Sequence, residues 1–191
     1  MPKPKLCKVC RDPMPTNARP LQSVCSLECA QVIGALKTAR DDKAHAKQKR
    51  AELKAAKLAI KPMSYWMQRA QTAINKYCRL RDLKAGYGCI DCGKPFEPQK
   101  IGGSVDAGHY LSRGSHPNLR FDERNIHAQR KNCNRPGGTT AAAFRLGMIA
   151  RIGLEAVEEL ESDTQARHYK IPDLQEIEQK YLKLIKELTS N

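Results

Sequence analysis

Aromatic side chains are scarce in this chain: one Trp, six Tyr and three Phe make up 5% of its 191 residues. That excludes a large aromatic core. Long apolar runs are missing too. No stretch of 18 apolar residues occurs, which excludes a transmembrane helix. The opening residues, Met1-Pro2-Lys3-Pro4-Lys5, lack the apolar segment of a secretory leader. A soluble, cytoplasmic protein with no membrane partner is expected. Acidic residues are in deficit, 20 Asp and Glu against 34 Lys and Arg, for a formal net charge of +14. The length suits one domain or two small ones.

Cysteine, by contrast, is abundant: eight residues. Disulfides are a poor account of them in a reducing cytosol. Six fall into pairs, Cys7/Cys10, Cys25/Cys29 and Cys89/Cys92. Two thiolates on one tight turn can reach one tetrahedral Zn²⁺, and zinc supplies folding energy that a small apolar fraction does not. Cys7 and Cys10 on a knuckle, with Cys25 and Cys29 at the start of a helix capped by Ser26, predict a treble-clef-like zinc finger over residues 1–36. A reduced, unligated loop is the alternative. Cys78 has no paired neighbour and reads as a small buried hydrophobe.

The positive charge is not spread evenly. Residues 1–61 carry 14 basic and 5 acidic side chains, residues 62–136 carry 13 and 6, and residues 137–191 carry 7 and 9. The surplus coincides with the cysteine pairs, and nucleic acid is the partner it points to. Residues 37–61, rich in Ala, Lys, Arg and Gln without Gly or Pro, read as a basic helical arm. It can touch DNA phosphates or act as a solvated spacer.

Helical periodicity continues from Ser64, a candidate cap, to about Leu83, with Trp66 as a core residue. It returns over about 140–161 and from Pro172 to about Leu188. The last helix carries a stripe of Leu174, Ile177, Tyr181, Leu184, Ile185 and Leu188, which fits either an intramolecular core or a dimer seam. Between them, residues 87–140 are dense in Gly, Pro, Asn, His and Cys, with short β-like pieces.

That segment carries the chemistry. The knuckle Cys89-Ile90-Asp91-Cys92 is followed, after the glycines at 102–103, by Asp106-Ala107-Gly108-His109-Tyr110. Then comes Asn125-Ile126-His127-Ala128-Gln129-Arg130-Lys131-Asn132-Cys133-Asn134. This order resembles an HNH nuclease, in which two strands carry the catalytic His and the next helix carries a metal-binding His or Asn. Phosphodiester cleavage needs an activated water, charge neutralisation at phosphate and help for the leaving oxygen. A neutral His109 near its ordinary pKa suits the first task. Oxygen donors, Asn134 and Asp106, suit a hard cation such as Mg²⁺ or Mn²⁺. Asn134 as a helix cap and Asp106 as a turn residue are the plainer readings. Asn125 reads as the middle Asn of the motif, holding its loop by hydrogen bonds. Arg113, Arg120, Arg124, Arg130, Lys131 and Arg135 surround the site as candidate phosphate binders.

The chain as a whole resembles the phage NinG family, also called Rap, recombination endonucleases of lambda-like phages. The resemblance rests on the N-terminal cysteines, Lys61-Pro62-Met63-Ser64-Tyr65-Trp66, Asp106-Ala107-Gly108-His109-Tyr110, Leu119-Arg120-Phe121-Asp122-Glu123-Arg124-Asn125-Ile126-His127 and Ile149-Ala150-Arg151-Ile152-Gly153. It implies a structure-specific endonuclease acting on branched DNA, Holliday junctions and D-loops, in a bacterial host cytoplasm. Homodimerisation and host or phage recombination proteins are partners to be considered. The family pattern after the His is Gln-Cys-x-x-Cys-Asn, and here Arg130 stands in place of the first thiolate. Cys89, Cys92 and Cys133 remain. His127 completes the site, water does, or the site is degraded.

The expected fold is α+β. A small zinc-stabilised ββα-metal core lies within a unit spanning residues 62–140. It is preceded by the finger and the arm and followed by C-terminal helices over residues 141–191. The rivals to the nuclease are a non-catalytic branched-DNA-binding protein with a degraded HNH unit, and a zinc-bearing interaction adaptor.

Overall fold

The computed structural model describes residues 5–97 and 105–190; the glycine turn expected at 102–103 lies outside them. The chain divides into two compact units, Met1–Lys61 and Pro62–Asn191.

In the first unit, Cys7 opens a tight turn in which the Arg11 N–H donates to the Cys7 carbonyl at 3.1 Å. A single antiparallel bridge, Leu6 with Pro13, closes the turn. The chain then enters a 33-residue helix α1, Leu27–Ala59. Ser26 caps it as expected, its hydroxyl accepting from Cys29 N at 3.3 Å. The helix runs unbroken past position 36, because nothing in 37–57 interrupts a strongly helix-forming composition. None of its residues is buried.

The second unit begins with α2, Met63–Lys84. Its cap is Pro62 rather than Ser64, which sits inside the first turn; proline's fixed φ suits this entry. Strands β1, Val105–His109, and β2, Ile126–Arg130, pair antiparallel with Gly108 opposite His127 and His109 opposite Ile126. Side chains alternate along a strand. One face therefore carries Ala107, His109, Ile126 and Ala128, and the other carries Asp106, Gly108, His127 and Gln129.

The hairpin lies between two apolar cores. On the first face, Ile126 and Ala107 pack with Ala73, Ile74 and Cys78 of α2 and with Tyr181, Ile177 and Leu184 of the last helix, α5, Ile171–Thr189. The α5 stripe is thus used inside the unit and is not left over as a dimer seam. The second face meets α3, Ala141–Ile152, and α4, Leu154–Ser162. There Phe144, Met148, Val157 and Leu160 pack with Leu119 and with Ile90 from the cysteine knuckle. The periodicity over 140–161 predicts one helix; Gly153, at φ 86°, breaks it into two, a backbone conformation that favours glycine. A Cβ at Gly147 would strike the Ile90 carbonyl, so α3 lies directly against the knuckle.

The expected ββα unit has its two strands, but the helix does not follow them. Residues 131–138 form a run of turns, and α3 starts only at Ala141. Pro136 and the positive φ of Gly137 make helix unfavourable there. Asn134 is carried by a turn.

Asp82, 1% exposed, joins three of these elements. Its carboxylate accepts from Ala128 N on β2 at 2.7 Å, from Arg151 on α3 at 2.9 Å and from Arg81 at 2.8 Å. Burial alone would raise its pKa. Hydrogen bonding by His127, the Arg81 charge and the Ala128 N–H outweigh it and hold the group at about 2. A carboxylate depressed in the folded state stabilises fully above its unfolded pKa, near 3.9, and loses that contribution as pH falls through its folded value. Asp82→Asn is expected to cost about 3–5 kcal/mol at pH 7, since it leaves two guanidinium groups without their anion. In denaturant titrations the gap between wild type and variant should shrink by about 2 kcal/mol between pH 4 and pH 2. A gap independent of pH would show that Asp82 is not the group responsible.

Candidate functional site

Two sulfur clusters are assembled, one in each unit. Cys7, Cys10, Cys25 and Cys29 bring their Sγ atoms within 4.8 Å of one another, and so do Cys89, Cys92 and Cys133. Two thiolates on one tetrahedral Zn²⁺, each about 2.3 Å from the ion, are separated by about 3.8 Å. The Cys25–Cys29 and Cys92–Cys133 sulfurs are each 3.7 Å apart, and Cys10–Cys25 are 3.4 Å apart. Backbone N–H groups of Val9 and Arg130 point at Cys7 and Cys89 sulfur at 3.4 and 3.3 Å. Both clusters therefore fit a structural zinc ion.

The second cluster has three ligands among the described residues. His127 does not join it. Its Nε2 donates to the Arg124 carbonyl at 3.0 Å, and its Nδ1 lies 3.3 Å from the Arg81 guanidinium and 3.5 Å from Asp82. Its place on β2, opposite Gly108, turns the ring toward Phe144. The Arg130 side chain reaches toward Glu97, 3.9 Å away.

His109 ends β1, and the loop from Tyr110 to Asn125 folds back over it. Asn125, fully buried, fastens that loop. Its Oδ1 accepts from Leu111 N at 2.8 Å, and its Nδ2 donates to the carbonyls of Leu111 and Leu119 at 3.0 and 3.2 Å. Its contacts are thus with the loop backbone. The loop carries Arg113 and Arg120, which with Ala107, His109, Ser112, Gly114 and Asn134 line a cleft of about 580 Å³.

Among the described residues no carboxylate lines this cleft, so its field is positive. The expectation of a His109 near its ordinary pKa is corrected here. Burial, then the charges of Arg113 and Arg120, push it down to about 4, against backbone hydrogen bonding at Arg120 and Ala107. The imidazole is neutral at physiological pH. Burial and the neighbouring Arg113 also lower the Arg120 pKa. Such a pair of guanidinium groups, lacking an acid in the cleft, favours an anion between them.

Asp106 sits on the opposite face of the hairpin from His109. It meets the cleft through Asn134, whose Nδ2 donates to Asp106 Oδ2 at 3.1 Å. A carboxylate and a carboxamide together offer the oxygen donors of a hard divalent cation. Arg124 is turned away, paired with Asp122 and Glu159 at 3.0 Å each. Lys131 and Arg135 are exposed on the turns that follow β2.

Sequence reading missed Gln71. It is 4% exposed on α2; its Nε2 donates to Asn75 at 2.8 Å and lies 3.3 Å from His109 Nε2. Its Oε1 is buried without a partner. The signal was available: Gln71 is a lone amide in register with Ile74 and Cys78 on the apolar stripe of α2, a place where a polar side chain needs a reason.

The clusters make a direct expectation. Protein purified without chelator should carry about two zinc ions per chain by metal analysis. Cys25→Ala should remove one equivalent and Cys89→Ala the other, with Cys89→Ala lowering the melting temperature of the second unit. Metal-free protein would overturn the assignment.

Comparison with known proteins places the chain. All of residues 1–191 match the family described as Bacteriophage Lambda NinG protein. The chain is 40% identical over 140 residues to Protein ninG of Escherichia phage 933W, covering 73% of this chain and 66% of that protein. It is 40% identical over 137 residues to Protein ninG of Salmonella phage P22, 72% and 64% covered. It is 39% identical over 140 residues to Protein ninG of Escherichia phage lambda, 73% and 65% covered. The matched stretch thus spans about two thirds of the length of these relatives. No solved structure matches. On the full-length match and these identities, the chain belongs to the phage NinG family.

Proposed function

We propose that this chain is a metal-dependent DNA endonuclease that cuts branched recombination intermediates. The observation that carries the reading is the cleft in which a neutral His109 stands beside Arg113, Arg120 and Asn134, with Asp106 behind Asn134. In this reading the two guanidinium groups take the scissile phosphate. His109 removes a proton from the water that attacks phosphorus, and the bond from phosphorus to the 3′ oxygen breaks, leaving a 5′ phosphate. The low pKa of His109 belongs to the anion-free cleft. A phosphodiester between the arginines offsets their charge and so strengthens the base when substrate is present. Asp106 and Asn134 would hold a divalent cation, which would neutralise charge at the phosphate and the leaving oxygen. Gln71 keeps the ring from rotating, and Asn125 keeps the arginine loop closed over it.

A second reading has its own observations. The three-ligand cluster and the placement of Asn134 on a turn favour a branched-DNA-binding protein without cleavage activity.

The two separate in one assay. Labelled Holliday-junction, D-loop and plain duplex DNA are incubated with and without Mg²⁺, with wild type and His109→Ala. The nuclease reading expects Mg²⁺-dependent cutting of branched substrates and a loss on the order of 10²–10⁴-fold in His109→Ala, with junction binding nearly unchanged, because a general base acts in the transition state. Asn134→Ala should lose part of its rate and regain some at high Mn²⁺. Equal cutting by wild type and His109→Ala would sink the assignment of the base. No cutting by wild type, with preference for branched DNA in binding, would establish the second reading.

A further inference from the structure

The helix α1 poses a question that the cleft does not answer. It is 33 residues long and buries none of them, so no apolar face explains it. Most of its charges are sorted by side: of its eight Lys and Arg, only Lys37 and Lys49 stand off one row. Arg40, Lys43, Lys47, Arg50, Lys54 and Lys57 follow one another at intervals of three or four residues. On a helix of 3.6 residues per turn these six fall within an arc of about 100° and extend about 26 Å along the axis. The acidic residues of the same stretch, Asp41, Asp42 and Glu52, fall on the other side. All six basic side chains are exposed, and among the described residues none is in an ion pair.

This arrangement works against the helix that carries it. Like charges three or four residues apart repel and weaken a helix, and acids placed at those spacings would stabilise it. Here the basic neighbours are consecutive and the acids stand where they do not offset them. A polyanion laid along the stripe removes that repulsion. We propose that α1 is a second DNA-contacting surface, binding the phosphate backbone of duplex arms through these six side chains and without reading bases. The proposal deepens the DNA-directed reading of the chain and is independent of cleavage. A duplex presents a charge about every 1.7 Å of its axis, so a 26 Å stripe meets more phosphates than it has cations, and the protein sets the number of contacts. An anionic bilayer fits less well. The residues flanking the stripe, Ala39, Ala44, Ala46 and Ala51, do not make the broad apolar face of a helix that lies in a membrane interface.

The test uses the full chain and compares two variants of equal charge change. One replaces Arg40, Lys43, Lys47, Arg50, Lys54 and Lys57 by Ala. The other leaves the stripe and introduces Glu at Thr38, His45, Gln48, Ala55, Ala56 and Ala59, on the opposite side. Circular dichroism checks helicity, and a Gln version of the first variant stands in if the Ala version misfolds. Binding to labelled four-way junction and duplex is measured by fluorescence anisotropy over a salt series.

The stripe variant should bind at least about tenfold more weakly at 0.1 M salt. Its slope of log affinity against log salt should be shallower by about 3–5, since each phosphate contact contributes about 0.9. The opposite-side variant should keep the wild-type slope. An unchanged slope in the stripe variant, or the same change in both variants, overturns the proposal. So does stripe-dependent binding to phosphatidylglycerol vesicles without a stripe effect on DNA. The slope is read without cleavage: an inactive His109→Ala protein that keeps the full slope leaves this proposal standing, and a cutting enzyme whose stripe variant binds like wild type sinks it alone.

Discussion

The carboxylate of Asp82 holds together parts of the second unit that the sequence keeps far apart. It receives a backbone N–H from β2, a guanidinium from α3 and another from the residue before it, all at or below 2.9 Å. A charge this deeply buried is tolerable only when its partners are fixed, so each partner fixes the element that carries it. With β2 pinned to α2, the register of the hairpin is set, and β1 delivers His109 opposite Ile126. Eleven residues earlier on α2, Gln71 meets that same His109. On the buried side of α2, Gln71 and Asp82 are thus polar side chains that each hold a different point of the hairpin, His109 and Ala128, with Ile74 and Cys78 in the apolar stretch between them. Burial raises the Cys78 thiol pKa to about 12, as befits a residue that only packs.

What could be read from the sequence follows the range of the interactions. Helix α2, the cap of α1 by Ser26 and the pairs Cys7/Cys10, Cys25/Cys29 and Cys89/Cys92 depend on neighbours a few residues apart, and periodicity and spacing located them; Cys133 joins its pair from 41 residues away. Gly153 was harder. It sits inside an apolar pattern that continues on both sides, and only its positive φ divides the helix. At the cleft the limits are sharper. Six basic residues stood near the site by sequence, but which of them face His109 depends on partners elsewhere. Arg124 is drawn away by Glu159, 35 residues later, while Arg113 and Arg120 are placed by a loop that Asn125 ties down from within. His127 was a reasonable candidate ligand by spacing; its ring is instead held by the Arg124 carbonyl, Arg81 and Asp82. No local pattern encodes these choices.

The two units use different physics to present charge. In the second, positive charge is concentrated in a concave site, where partial burial sharpens its effect on neighbouring groups, as the neutral His109 records. In the first, charge lies along an exposed rod. An exposed row of cations is screened by salt over about 10 Å at 0.1 M, whereas in the cleft Arg120 and His109 are partly withdrawn from solvent.

Ile90 stands between the two thiols of the Cys89–Cys92 knuckle, and it is also a member of the apolar core shared with Phe144, Met148, Val157 and Leu160. Its carbonyl abuts α3 where Gly147 offers no side chain. The same short turn thus offers thiols that could hold an ion on one side and packs into the interior on the other. That would link the order of assembly to the supply of metal. Until the knuckle is shaped, α3 and α4 lack the surface they close against, whereas α5 packs on α2, so α3 and α4 are expected to consolidate after α2 and α5.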